Sequence, residues 1–248
     1  EEMSEVIAQI PYLKRRFLLS ATDAPAIPRF VSEGDFLKLN FLEDEEQIPE
    51  RIKVYTVKSP EKDKLEVLSK LLCYLGDKSS LVFVNYRESV ERVYRYLLQA
   101  GISCEMFHGG MEQKDRERAL YKFSNGSCNV FVSTDLAARG LDIPNIDHVI
   151  HYHLPLNEDA YIHRNGRTAR WDASGNVFLI LGPEEYLPEF IQQIPEDYVW
   201  EGPKPDPAKP QWVTLYIGKG KKDKINKVDI VGFLSKGGRL GKSDIGRI

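Results

Sequence analysis

Apolar positions in this chain follow two spacings that alternate. Short unbroken runs such as Leu81-Val82-Phe83-Val84 are separated by stretches in which leucine or valine returns every three or four residues. Unbroken runs read as strands buried on both faces, and the spaced stretches as helices with one apolar face. Ile52-Lys53-Val54-Tyr55-Thr56-Val57 begins the series, followed by a helix carrying Leu65, Leu68, Leu71, Leu72 and Leu75. After the Leu81 run comes a second helix with Val90, Val93, Tyr94, Leu97 and Leu98 on one stripe, stopped by Gly101 where a C-cap belongs. The pattern then predicts strand 102–107, helix 113–123, strands 129–132 and 149–152, helix 158–163 and strand 177–181. Helices between strands imply parallel crossovers, so the expected fold class is α/β, a doubly wound parallel sheet with helices on both faces.

Other patterns flank this series. Phe17-Leu18-Leu19, ending at Ser20-Ala21-Thr22 before Pro25, reads as strand, loop and helix, too small a piece for a domain. Residues 1–43 therefore read as the end of a domain in a chain that begins inside it. Like charges without apolar period make 44–50 a linker, and 51–182 the α/β domain. Pro203, Pro205, Pro207 and Pro210 make 183–210 an extended spacer. Residues 211–248 form a separate segment, in which 212–217 reads as a strand.

Composition narrows the function class. The 248 residues are 42% hydrophobic, with a net charge of -3 that gives no general case for nucleic acid. Within 211–248, however, nine Lys or Arg face three Asp, a local basic surplus. Cys73, Cys104 and Cys128 are too dispersed for a disulfide framework or a paired metal site and read as free thiols in a reducing compartment. No apolar stretch reaches the roughly 18 residues of a membrane helix, and no signal pattern opens the chain, so a cytoplasmic location without a membrane partner is expected.

The densest chemistry is His163-Arg164-Asn165-Gly166-Arg167-Thr168-Ala169-Arg170. If the preceding helix continues, Arg167 and Arg170 lie three apart on one face and could converge on a phosphate. The alternative is a solvated turn whose arginines pair with Glu158 and Asp159. Its companions are Ser20-Ala21-Thr22, His108-Gly109 with Gln113 and Arg116, and the run from Ser133-Thr134-Asp135 through Arg139-Gly140-Leu141-Asp142 to Pro144.

In that order these motifs resemble the DEAD-box family of superfamily 2 helicases across nearly all of residues 1–182. The resemblance implies a RecA-like fold, with the end of a first domain and the whole of a second, which together clamp ATP and lay RNA across both. It implies Arg167 and Arg170 as arginine fingers toward the γ-phosphate, and Asp142 as a ribose acceptor with Gly140 allowing close backbone approach. Arg87, Gln113, Arg116 and Thr134 would contact the RNA backbone; Ser20, Thr22, Arg139 and His163 would couple the domains. By composition alone, Gln113 and Arg116 are equally an exposed charged helical face, Asp142 a turn residue, and Ser-Ala-Thr an ordinary strand end. Two positions depart from the family: Asn165 where isoleucine or a similar residue is usual, and Ala169 where glycine is.

The tail, from Thr214-Leu215-Tyr216-Ile217 through Gly232-Phe233-Leu234 to Ile248, resembles the start of the RRM-like, DbpA-type RNA-binding domain of ribosome-assembly helicases. This implies a partial α+β segment in which Tyr216 either stacks on RNA or faces a core. Gly241-Lys242-Ser243 is no phosphate loop, because Lys236 stands where the motif needs glycine. Nor is there an Asp-Glu-Ala-Asp run to hold Mg²⁺, so ATP and Mg²⁺ are expected to be gripped by the first domain, and residues 1–248 alone not to hydrolyse ATP. Two alternatives remain: a non-enzymatic RNA-binding adaptor built on one RecA-like domain, and a superfamily 2 DNA helicase.

Overall fold

The computed structural model describes residues 2–10, 12, 17, 37, 39, 52–138, 146–168, 174–246 and 248. The chain divides into two compact units, Glu1–Gln47 and Ile48–Ile248. In the first, α1 spans Glu2–Ala8. Apart from Phe17, the strand, loop and helix expected around 17–25 lie outside the described residues, as does the whole 44–50 segment.

The second unit holds a seven-stranded sheet among the described residues, in the order β3-β4-β2-β5-β6-β1-β7, and every pairing is parallel. The strands are β1 (Ile52–Lys58), β2 (Ser80–Phe83), β3 (Cys104–Phe107), β4 (Val130–Ser133), β5 (His148–His151), β6 (Gly175–Leu181) and β7 (Glu196–Asp197). Between them run α2 (Leu65–Leu75), α3 (Arg87–Gln99), α4 (Gln113–Ser124), the short α5 (Asp135–Ala138) and α6 (Glu158–Asn165); α7 (Lys227–Lys236) follows in the tail. Strand alternation splits the core into two layers. Val82, Val84, Ile150, Phe178 and Ile180 pack with α2 and α3 on one face. Leu81, Phe83, Phe131, Val149, Val177 and Leu179 pack with Ala119 and Phe123 of α4 and Tyr161 of α6 on the other. Leu68 and Leu71 have no exposed surface; a leucine so buried contributes about 1.5–3 kcal/mol. The expected doubly wound, RecA-like architecture is the one observed.

The stop after α3 has its expected chemistry. Gly101 takes φ +78, its N–H donates to Leu98 O at 3.0 Å, and the Ile102 N–H donates to Leu97 O at 2.9 Å. This is a Schellman turn, which favours glycine at the left-handed position.

Two expectations about flanking segments are corrected. Residues 183–210 are not only a spacer: β7 extends the sheet by pairing with Tyr55 and Thr56. Tyr198 meets Tyr55, Phe178 and Trp200 ring to ring, and Lys70 sits 4.3 Å from the Trp200 ring centre. Aromatic burial holds this stretch where proline content suggested only extension. Residues 212–217 form no strand. A strand needs a ladder partner, and these side chains instead reach the α4 end of the domain. The Ser127 and Thr214 hydroxyls lie 2.7 Å apart, and Arg118 sits 5.0 Å from the Tyr216 ring centre. Tyr216 is thus neither a core residue nor an unattached platform.

Candidate functional site

In a parallel sheet every strand presents the same end to the loops that follow, and strand order decides which loops become neighbours. Here β3, β4, β2 and β5 are adjacent. His108 follows β3, Thr134 follows β4, Asn85 and Arg87 follow β2, and His153 follows β5, so residues separated by up to 68 positions share one edge.

Of the residues expected to touch RNA, Arg87 is exposed at the start of α3 and lies against the Gly109-Gly110 turn, where a side chain on Gly109 would come within 3.4 Å of Nη2. That turn leads into α4, so Arg87 shares an edge with the element that carries Gln113 and Arg116. Gln113 is exposed and donates to Glu117 Oε1 at 2.9 Å. Arg116 is half-buried, and its Nε has no hydrogen-bond partner among the described residues. Thr134 is buried at the junction of β4 and α5, its carbonyl accepting from Ala138 N at 3.0 Å.

In the arginine cluster the helix does not continue as far as Arg167. Asn157 Oδ1 caps α6 by accepting from Ala160 N at 2.8 Å, but the helix ends at Asn165. Arg167 sits in the turn that follows, its N–H donating to Arg164 O at 3.1 Å, and Thr168 bridges to Ile146. Arg167 therefore does not lie on a face of α6. It is half-buried and lines a small crevice with Phe83, Asp135, Ala138, Ala160, His163 and Arg164. Arg139, Gly140, Asp142, Ala169, Arg170, Ser20 and Thr22 lie outside the described residues.

The residue without an expected role is Arg164, which is 1% exposed. Its Nε and Nη2 fork onto Asp135 Oδ1 and Oδ2 at 2.6 and 2.7 Å. Nη2 also donates to Asn85 Oδ1 at 2.8 Å, and Nη1 to His153 O at 2.7 Å and His151 Nδ1 at 3.3 Å. A guanidinium has five N–H groups, and these contacts use all five. Arg164 pairs with Asp135, not with Glu158 or Asp159 as the solvated-turn reading would have it.

Helical spacing carried a signal for this. Ala160, Tyr161, Arg164 and Asn165 form the buried stripe of α6, and an arginine at such a position needs internal partners.

Since a guanidinium can only donate, His151 Nδ1 must accept, which leaves its Nε2–H to donate to Asn165 Oδ1 at 2.9 Å. Burial, and then the adjacent Arg164 charge, lower the His151 pKa to about 3. The departure at Asn165 thus has a local role: its Oδ1 accepts the hydrogen bond that the N–H of a buried neutral histidine must make somewhere. His153, lowered to about 4 chiefly by burial, accepts from Asn85 N at 3.1 Å through Nδ1.

Residues 63–172 match the helicase conserved C-terminal domain, and 214–248 the DbpA RNA binding domain. Escherichia coli DEAD-box protein SrmB, solved with the regulator of ribonuclease activity A, is 32% identical; the match covers 64% of this chain and 98% of that one with a TM-score of 0.54. The chain belongs to the DEAD-box family. Saccharomyces cerevisiae Dbp5, solved with RNA and ADP BeF3, is 28% identical over 74% of this chain and 49% of its own, with a TM-score of 0.63. The ATP-dependent RNA helicase DbpA of Escherichia coli (strain K12) is 32% identical over 100% of this DEAD-box chain and 56% of its own length. The chain spans a little over half of the DbpA proteins it matches, 58% in the Bacillus subtilis case.

Proposed function

We propose that this chain supplies the second RecA-like domain and an RNA-binding tail of an ATP-dependent RNA helicase, which opens short RNA duplexes when ATP draws two such domains together. The observation that carries the reading is the single sheet edge at which Arg87, Thr134 and the start of α4 adjoin the crevice lined by His163 and Arg167. One end of that edge suits an RNA backbone, the other the phosphates of a nucleotide held by a partner domain.

The donor chemistry fits an anion. Arg164's N–H groups are all engaged inside the domain, whereas Arg167 lines the crevice; by the family resemblance Arg167 would face a phosphate, and Arg170 would join it. Bound ATP would supply the phosphoryl group and, with Mg²⁺ on the first RecA-like domain, the free energy of closure. Arg167 would stabilise charge on the transferring oxygens; Asp142 and Gly140 would hold the ribose; His163 and Arg139 would meet Ser20 and Thr22. Arg87, Gln113, Arg116 and Thr134 would bind RNA through sugar and phosphate, which makes recognition independent of sequence.

The match to a DbpA-type tail and its basic surplus support a structured or ribosomal RNA target and a role in ribosome assembly; the dispersed cysteines support a cytoplasmic site of action. Residues 1–248 alone would lack ATPase activity. RNA-stimulated ATP hydrolysis by the full-length protein tests the reading: Arg167→Ala should slow turnover by about 10³-fold or more. Near-normal turnover would remove Arg167 from this role, and full-length protein with no ATPase activity would favour the adaptor.

A further inference from the structure

We infer that Arg164 is a positioning residue that locks the RNA-facing loops to the turn carrying Arg167, so that both contact sets move as one body. The inference rests on the helicase reading above and extends it to a residue that is buried with all its N–H groups bonded inside the domain.

The argument is geometric. Arg164 is fully buried, and its contacts fall on three separate loops: Asn85 after β2, Asp135 after β4, and the His153 carbonyl after β5. Two of these anchors adjoin an RNA-facing candidate, and Arg164 itself adjoins the nucleotide-facing one. Arg87 lies two residues beyond Asn85, Thr134 directly precedes Asp135, and Arg167 follows Arg164 by three residues, in the turn after α6. Its own backbone carbonyl accepts the Arg167 N–H at 3.1 Å. The planar fork sets direction as well as distance, which a flexible ammonium cannot do. His151 closes the set from within the sheet, and its bond to Asn165 ties the last residue of α6 to β5. A shift of either candidate surface must therefore rotate the guanidinium against the others. Buried arrangements of this kind have discrete states and transmit displacement.

The test uses the full-length protein with single-stranded polyuridine RNA, reading kcat for ATP hydrolysis and KM for RNA per folded molecule, alongside the thermal midpoint. Arg164→Lys keeps the charge but has one nitrogen in place of the fork. It should lower kcat on the order of 10- to 100-fold, the scale expected for a misplacement near 1 Å, and raise the RNA KM in the same variant. Asn85→Ala removes one anchor and leaves the Asp135 fork; it should move both parameters in the same directions by a smaller factor, and it decides the matter if Arg164→Lys does not fold. A purely structural Arg164 would lower the midpoint and leave kcat and KM per folded molecule unchanged, which overturns the inference. Slow Arg167→Ala beside wild-type kinetics in Arg164→Lys and Asn85→Ala overturns this inference alone. Near-normal Arg167→Ala overturns the finger reading and this inference with it.

Discussion

Arg164 and Asp135, 29 residues apart, meet through a two-pronged ion pair at 2.6 and 2.7 Å, with Arg164 buried and the Asp135 side chain 26% exposed. Burying a lone guanidinium is costly, so the pair matters most when half of it is removed. Asp135→Ala should destabilise the domain by about 3–5 kcal/mol, measured as a lower urea midpoint at unchanged slope. A loss below about 1 kcal/mol, the range of surface pairs, would mean that Asn85 and the His153 carbonyl suffice to hold the charge.

Acid should act through buried histidines. His148 and His151 have pKa values lowered to about 4 and about 3, with burial the largest cause in each. The unfolded chain titrates near 6.5, so between that pH and the folded values it binds more protons than the native state, and stability rises with pH. The contribution is complete above about 6.5 and is lost as pH falls toward 4. Each group would add up to about 1.4 kcal/mol per pH unit within that window. Urea midpoints from pH 7 to 5 should fall, and more gently in His151→Asn. The same slope in that variant would show that His151 is not a source.

Gly175 begins β6 beneath Thr168. A Cβ there would lie 1.9 Å from Thr168 Oγ1, whose hydroxyl donates to Ile146 O at 2.5 Å. Gly175→Ala should cost about 1–3 kcal/mol by overpacking, and Thr168→Ala in the same chain should recover part of it. Additive losses in a double-mutant cycle would show that the two positions do not collide.

Trp212 anchors the tail. A Cβ on Gly126 would meet its ring at 3.5 Å, and one on Gly246 at 3.3 Å, so the indole lies between the end of α4 and the last residues of the tail. Trp212→Ala should speed proteolytic removal of residues 211–248 several-fold and leave the midpoint of the α/β domain unchanged. Equal cleavage rates would mean that the Ser127 and Tyr216 contacts hold the tail without it.

Much of the site was legible as residue type but not as placement. The sequence pointed to His163, Arg167, Gln113, Arg116 and Thr134 through motifs that resemble the DEAD-box family, and the structure brings the loops and helix ends that carry them to one side of the sheet. It pointed to the cluster containing Arg164 and gave that residue no task, because a side chain's partners across 29 or 79 positions are set by strand order. The helix through Arg167 and the strand at 212–217 failed for a related reason. Local propensity permits either, but after Asn165 the backbone bonds tighten to three-residue turns and Thr168 bridges to Ile146, while 212–217 has no ladder partner.

Apolar spacing alone determined the strands and helices of the domain, the two-layered core and the stop at Gly101, since burial of alternate faces and the freedom of a glycine act within a few residues. Only the tertiary structure decided that β7 joins the sheet, that the tail packs on α4, and that Arg164 is spent inside the fold. Those outcomes depend on which loops a parallel sheet of this strand order brings together, a relation among distant segments that no local pattern contains.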